Sequence, residues 1–422
     1  QKTAYEICLC LVGSEMCIRD SSGSIAWMLT ASALVLLMTP GLAFFYGGLV
    51  RAKNVVSTIM YSFIAMAVAT IVWILWGYSL AFGPGGAYIG NFDFIGLSNI
   101  PFDEESGGIP TLLFVVFQGM FAIITPALIT GAFVERFKFS TYLVFLVLWL
   151  TLVYAPICHW VWAGDGWLFN DGALDFAGGT VVHINAGVAA VAAAIMVGKR
   201  RNPGLEPHNV PYVVLGAGLL WFGWFGFNAG SELAADARAV SAFIVTNAAA
   251  ATAALTWGLI SHIRTGRMSA VGVATGAVAG LVAITPASGF VGVMGALAIG
   301  FAAGAICLFA VDIIKGMGLD DALDVFAVHG LGGIIGALLT GVFAVEAIGG
   351  TAGVIEGNAG IMGVQVIGIL ATIGYSLVVT LAILFVLDKV PGLGLRVSEV
   401  EEDNGLDISA HGERAFVRDG AD

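Results

Sequence analysis

Long apolar runs separated by short polar joints set the pattern of this chain. A helix needs about 20 apolar residues to cross a bilayer. Eleven runs meet or approach that length: Ile25–Val50, Val55–Phe82, Thr111–Val134, Thr141–Ala163, Thr180–Val197, Tyr212–Ala229, Ala239–Ile263, Val271–Pro286, Gly289–Val311, Phe326–Val345 and Ile361–Leu387. The eighth is short and leaves little room for tilt. No soluble domain interrupts the series, so the pattern predicts an all-α polytopic membrane protein with eleven transmembrane helices. Pro40, Pro126 and Pro156 fall inside runs and predict kinks or local breaks.

The joints alternate in charge. Those after runs 1, 3, 5, 7 and 9 hold Arg51, Lys53, Arg136, Lys138, Lys199, Arg200, Arg201, Arg264, Arg267 and Lys315, whereas those after runs 2, 4, 6, 8 and 10 hold only Arg238. The second set is acidic instead, with Asp93, Asp165, Asp171, Glu232, Asp236 and Glu346 among its residues. Basic joints stay in the cytoplasm, so the N-terminus is expected outside and the C-terminal tail inside a plasma or inner membrane.

Two of the six histidines head long apolar runs. His183 stands on run 5 and His329 on run 10, each a few residues after a carboxylate, Asp175 and Asp324 respectively. Equivalent placement on runs 5 and 10 suggests a 5+5 inverted repeat with the eleventh helix added outside. An odd number of helices per half turns the second copy upside down. The two histidines would then meet near mid-membrane, where transporter sites lie.

Composition agrees with this picture. The chain has 422 residues, 59% hydrophobic and 11% charged, against about 25% charged in soluble domains. Its net charge of −12 supplies no basic patch for nucleic acid. The 58 glycines suit helices that approach closely through small side chains. Cys158 and Cys307 lie in apolar runs and read as inert packing thiols, while Cys8, Cys10 and Cys17 crowd the start. Residues 1–22 carry no initiator Met, no span and no clear signal-peptide cleavage site; they resemble a translated adapter and are expected to be dispensable. The chain then divides into a transmembrane domain, 23–388, and a tail, 389–422.

Two readings of the buried histidines stand. They are core imidazoles satisfied by backbone carbonyls, or a facing pair sharing one proton, neutral because burial disfavours the charged ring. Asp175 and Asp324 each precede a span, where a carboxylate caps the free N–H groups; Asp175 could also favour a cation at the outer face. The aromatic Phe121 lies within run 3, while Trp162 and Phe227 close runs 4 and 6 at their outer ends. Trp there is ordinarily an interfacial belt. Phe227 and Ser231, four apart, share a helix face, and an aromatic face beside a hydroxyl suits a small cation.

At these residues the chain resembles the ammonium transporter (Amt/Mep/Rh) family, in its bacterial and archaeal Amt branch. The matching segments are Met38-Thr-Pro-Gly-Leu-Ala-Phe-Phe-Tyr-Gly-Gly48, Ala173 to Asn185, Gly223 to Ser231, Thr285-Pro-Ala-Ser-Gly289 and Asp324-Val-Phe-Ala-Val-His-Gly330. The tail, with Arg396, Gly405-Leu-Asp and Glu413, is also similar. The resemblance implies an eleven-helix protomer assembled as a homotrimer, with a pore through each protomer. It implies an ammonium recruitment site at Phe121, Trp162 and Ser231, an aromatic gate at Phe121 and Phe227, and twin pore histidines at His183 and His329. Asp175, with Asp324, is expected to be structural or electrostatic. The basic inner loops and tail resemble a docking surface for a PII-type signalling protein. The function so implied is recruitment of ammonium, its deprotonation and conduction of ammonia, with no enzyme activity, metal or cofactor. A related alternative is an Rh-like gas channel. A bis-histidine haem membrane protein is a rival from another class. An intramembrane metalloenzyme has no His-Glu-x-x-His or comparable close cluster to support it.

Overall fold

The structure, a computed structural model, describes residues 22–106, 108–204 and 206–416. Expectations for residues 1–21 lie outside this range. Among the described residues, ten helices are long and apolar enough to cross a membrane. They are α1 (Ser22–Leu49), α2 (Ala52–Phe82), α3 (Thr111–Ala132), α4 (Phe139–Asn170), α5 (Gly179–Val197), α6 (Val210–Glu232), α7 (Ala237–Thr265), α9 (Val293–Gly316), α10 (Phe326–Phe343) and α11 (Ile361–Lys389). Between α7 and α9 lies the shorter apolar helix α8, Ala270–Ile284. At about 1.5 Å rise per residue it extends roughly 22 Å, less than the ~30 Å hydrocarbon layer. Pro286 stands just past its end rather than inside it.

Polar residues at helix ends explain several boundaries. Asn209 accepts the N–H of Tyr212 at α6, Asp236 accepts those of Arg238 and Ala239 at α7, and Ser269 accepts that of Gly272 at α8. Each satisfies donors that have no intrahelical partner. The prolines differ among themselves. Pro40 and Pro126 sit inside continuous helices. Pro156 follows a widened turn at Leu150–Tyr154, which absorbs its missing N–H.

Helices α1 and α6 run antiparallel. The start of α1 lies beside the end of α6, where Ser24 Oγ accepts the Ala235 N–H and Trp27 Nε1 donates to Ala229 O. The end of α1 lies beside the start of α6, where the Asn209 N–H donates to Gly48 O. The helices α5 and α10 cross closely. A methyl group on Gly187 would run into the backbone of Gly330, so only glycine permits this approach. Gly187 stands one turn after His183, and Gly330 directly follows His329. The crossing therefore brings the two rings together.

Ion pairs fasten the joints after α1, α3, α5 and α9 at one end. Buried Glu135 accepts from the Arg51 N–H (3.0 Å), Asn54 Nδ2 (2.9 Å) and Arg200 Nη1 (3.3 Å). Arg200 also grips Asp320 with Nε and Nη2. Burial pushes the Asp320 carboxyl up, but the Arg200 contacts outweigh it and hold the group below its ordinary range. Arg136 is fully buried and is brought down to about 10 by desolvation; it donates to the carbonyls of Gly198, Ala132 and Asp320. The tail closes over this network. Arg396 bridges Lys199 O and Glu402, and Asp407 accepts the Ser57 N–H at 2.8 Å at the start of α2.

Candidate functional site

Three cavities follow one another along a path bordered by α1, α3, α5, α6, α8 and α10. The first, on the side of the acidic joints, measures about 310 Å³ and is lined by Gln118, Phe121, Trp162, Asp175, Ser231 and Glu232, among others. Trp162 Nε1 donates to Asp175 O at 2.9 Å, which fixes the indole and leaves its face to the cavity. Ser231 Oγ donates to Phe227 O at 2.8 Å. The hydroxyl proton is thus occupied, and the oxygen lone pairs remain to accept a donor.

Phe121 and Phe227 separate this cavity from the next. Their ring centroids lie 4.3 Å apart at 40°, and Trp162 meets Phe121 edge-on at 5.6 Å. Below them is a lumen of only about 10 Å³, walled by Leu42, Ile124, Leu128, Val182 and Val278 with Phe227, His183 and His329. The histidines face each other there, Nδ1 to Nδ1 at 3.2 Å. One nitrogen must donate and the other accept, so a single proton lies between them. His183 Nε2 is buried with no hydrogen-bond partner among the described residues. His329 lines both this lumen and the third cavity, which lies at the end of the basic joints, measures about 520 Å³ and is bordered by Lys199, Arg200, Lys315, Asp320, Asp321 and Asp324.

Asp175 holds the mouth of α5 in place. Oδ1 accepts the N–H of Gly178 (2.9 Å) and Gly179 (2.6 Å), and Oδ2 those of Thr180 (2.9 Å) and Val181 (3.1 Å). Burial raises its carboxyl above the ordinary range, with these four bonds pulling the other way. The helix below opens in a widened turn, with both the Val182 and His183 N–H groups donating to Gly178 O.

The cap expected of Asp324 belongs to another residue. Asp324 turns its carboxylate to Lys315 Nζ at 2.9 Å. The donor at the start of α10, the Phe326 N–H, goes to Asp321 Oδ2 at 2.7 Å. The physical reason is reach: Asp324 has a left-handed backbone (φ 60°) inside the turn, whereas Asp321 stands before it. Burial pushes the Asp321 carboxyl up to about 7, and its Oδ1 has no partner among the described residues. Asp175 and Asp321 each precede their histidine by eight residues, from 175 to 183 and from 321 to 329. That equal spacing was the available signal. Trp224 also escaped the sequence reading. It stacks on His183 at 5.4 Å and 21°, held by a bond from Nε1 to Thr285 Oγ1 at 2.9 Å. Its position one turn before Phe227 could have shown it.

The fold and this path define a polytopic membrane transport protein. Residues 26–416 match the model of the Ammonium Transporter Family. The chain is 53% identical to an ammonium transporter of Aquifex aeolicus, covering 94% of this chain and 93% of that protein. It is 47% identical to one from Bacillus subtilis, covering 93% and 98%. The crystal structure of Saccharomyces cerevisiae Mep2 superposes with a TM-score of 0.85 at 40% identity, covering 90% of this chain and 88% of that one. The chain belongs to the ammonium transporter family.

Proposed function

We propose that this protein recruits ammonium in the outer cavity, where the ion passes a proton to solvent water on reaching the Phe121–Phe227 gate, and conducts the resulting ammonia along His183 and His329 into the inner cavity. The observation that carries this reading is the bare His183 Nε2 inside an apolar lumen. A buried polar atom without a partner is disfavoured, and ammonia can supply the missing donor or acceptor in transit. A whole ion there faces an idealised cost of tens of kcal/mol, whereas a neutral molecule does not. Potassium resembles ammonium in size but has no proton to give up, so it stays outside.

In this reading Phe121, Trp162 and Ser231 form the recruitment site, while Asp175 is structural because all its strong acceptor positions are bonded. The protomer has eleven spans, with α8 the thin one, arranged as a 5+5 inverted repeat plus α11. Three protomers form a homotrimer in the plasma or inner membrane, N-terminus outside. The basic end with its docked tail is cytoplasmic and offers a surface to a PII-type signalling protein. The haem alternative is disfavoured by the 3.2 Å Nδ1–Nδ1 separation. Two nitrogens in line on one metal stand about 4 Å apart, given metal–nitrogen bonds of about 2 Å.

Trp162→Leu combined with Ser231→Ala tests the outer site. Cation–π contacts contribute about 0.5–2 kcal/mol, so apparent ammonium affinity should fall roughly two- to thirtyfold, with the pore still working. Uptake curves on proteoliposomes measure this. Unchanged affinity in the double variant would reduce these residues to an interfacial belt.

A further inference from the structure

The outer cavity contains an ion pair that the recruitment chemistry above does not use. Glu232 directly follows Ser231 on the tight turn Gly230–Glu232 that ends α6. Its side chain lines the cavity and is 14% exposed. Its Oε2 meets Arg238 Nε at 3.3 Å. No other side chain among the described residues is hydrogen-bonded or ion-paired to this carboxylate. Arg238 is anchored from the far side. Its Nε donates to Gly289 O at 2.9 Å, and its guanidinium carbon lies 5.1 and 5.2 Å from the ring centroids of Phe176 and Phe290. The arginine is therefore clamped by its surroundings, while the carboxylate is held only through the arginine.

A second observation is an unpaired buried acceptor in the wall of the same cavity. Gln118 lines it one turn before Phe121 and is only 9% exposed, yet its Oε1 has no hydrogen-bond partner among the described residues. Buried acceptors are almost always satisfied. The other carboxylate of the cavity, Asp175, is fully engaged by backbone donors, and neighbouring Asp236 caps α7. Glu232 is left as the carboxylate able to face a bound cation that brings several N–H donors.

We propose that Glu232 is a specificity-determining residue of the outer site. Its carboxylate concentrates ammonium beside Ser231, and Arg238 moderates that charge so that the cation is not trapped on its way inward. This rests on the reading of the cavity as the ammonium recruitment site. The two residues should then act in opposite directions. Glu232→Gln removes the attraction and keeps the shape; Arg238→Gln leaves the carboxylate unmoderated.

The test is uptake of isotope-labelled ammonium by proteoliposomes, over a concentration series, in low and high concentrations of an impermeant salt. At low salt Glu232→Gln should raise the apparent KM roughly two- to fivefold, the range of a partly exposed charge pair, and Arg238→Gln should lower it. Both differences should shrink at high salt, because the Debye length contracts from about 30 Å at 0.01 M to about 3 Å at 1 M. An unchanged KM in Glu232→Gln, or a shift indifferent to salt, would overturn the proposal. A shift of both variants in the same direction would also overturn it, since the pair would then only brace the turn. Should Arg238→Gln fail to assemble, the salt dependence of the isosteric Glu232→Gln still decides. No saturable uptake by the unmodified protein would sink the recruitment reading itself, and this inference with it.

Discussion

Replacing His183 or His329 with Ala admits potassium while leaving an assembled protein. The packing around the rings explains the second half of that expectation. The α5–α10 crossing rests on Gly187 and Gly330, which the substitution leaves untouched. The first half follows from the lumen. It holds only about 10 Å³ between Phe227 and the histidines, with aliphatic walls. Removing an imidazole opens space next to the remaining polar ring, and a roomy polar cavity takes up water. Water raises the local dielectric and lowers the cost of a charge. Lowering the barrier by about 3 kcal/mol raises ion flux about a hundredfold. Currents on a solid-supported membrane, with ammonium and then potassium, measure the change, and size-exclusion chromatography reports assembly. If both single variants assemble and keep wild-type rate and selectivity, the histidines are core residues.

Asp175→Ala should instead cost the protein its stability. The carboxylate accepts four backbone N–H groups that have no other partner at the start of α5. Each orphaned buried donor costs about 1–3 kcal/mol, against a typical net stability of about 5–15 kcal/mol. Partial relaxation reduces the sum, but a large fall in thermal stability or loss of folded protein is expected. Asp175→Asn should lie between, because its NH₂ group confronts donors where the second oxygen accepted them. Heating followed by size-exclusion chromatography measures both. An Asp175→Ala variant with wild-type thermal stability but no transport would assign the carboxylate to the ion rather than to the helix.

Much of this was readable from the chain because the bilayer imposes a simple rule on hydropathy. The run beginning at Thr111 starts where α3 starts, and the runs beginning at Thr180 and Phe326 place the starts of α5 and α10 within a residue. The aromatic and histidine residues were legible through their types and places along these runs. The exchange of Asp324 for Asp321 was not, because two carboxylates three residues apart satisfy the same pattern and only the backbone of the turn decides between them. The stack of Trp224 on His183 and the contact of Gly187 with Gly330 join helices distant in sequence. The grip of Asp407 on the Ser57 N–H joins residues 350 positions apart. Periodicity carries no information about such pairs. The Glu232–Arg238 pair was visible only as two charges in the joint after the sixth run; the cavity they share gives them a common setting.

The central claim is that the transported species gives up its proton before it enters the dry lumen. Side-by-side uptake of isotope-labelled ammonium and isotope-labelled rubidium, a potassium surrogate, by proteoliposomes of the unmodified protein tests it most directly, whatever charge accompanies ammonia. The account predicts saturable accumulation of the ammonium label and rubidium uptake no greater than in empty vesicles. Rubidium uptake comparable to that of ammonium would show that whole ions cross the lumen, and would contradict it.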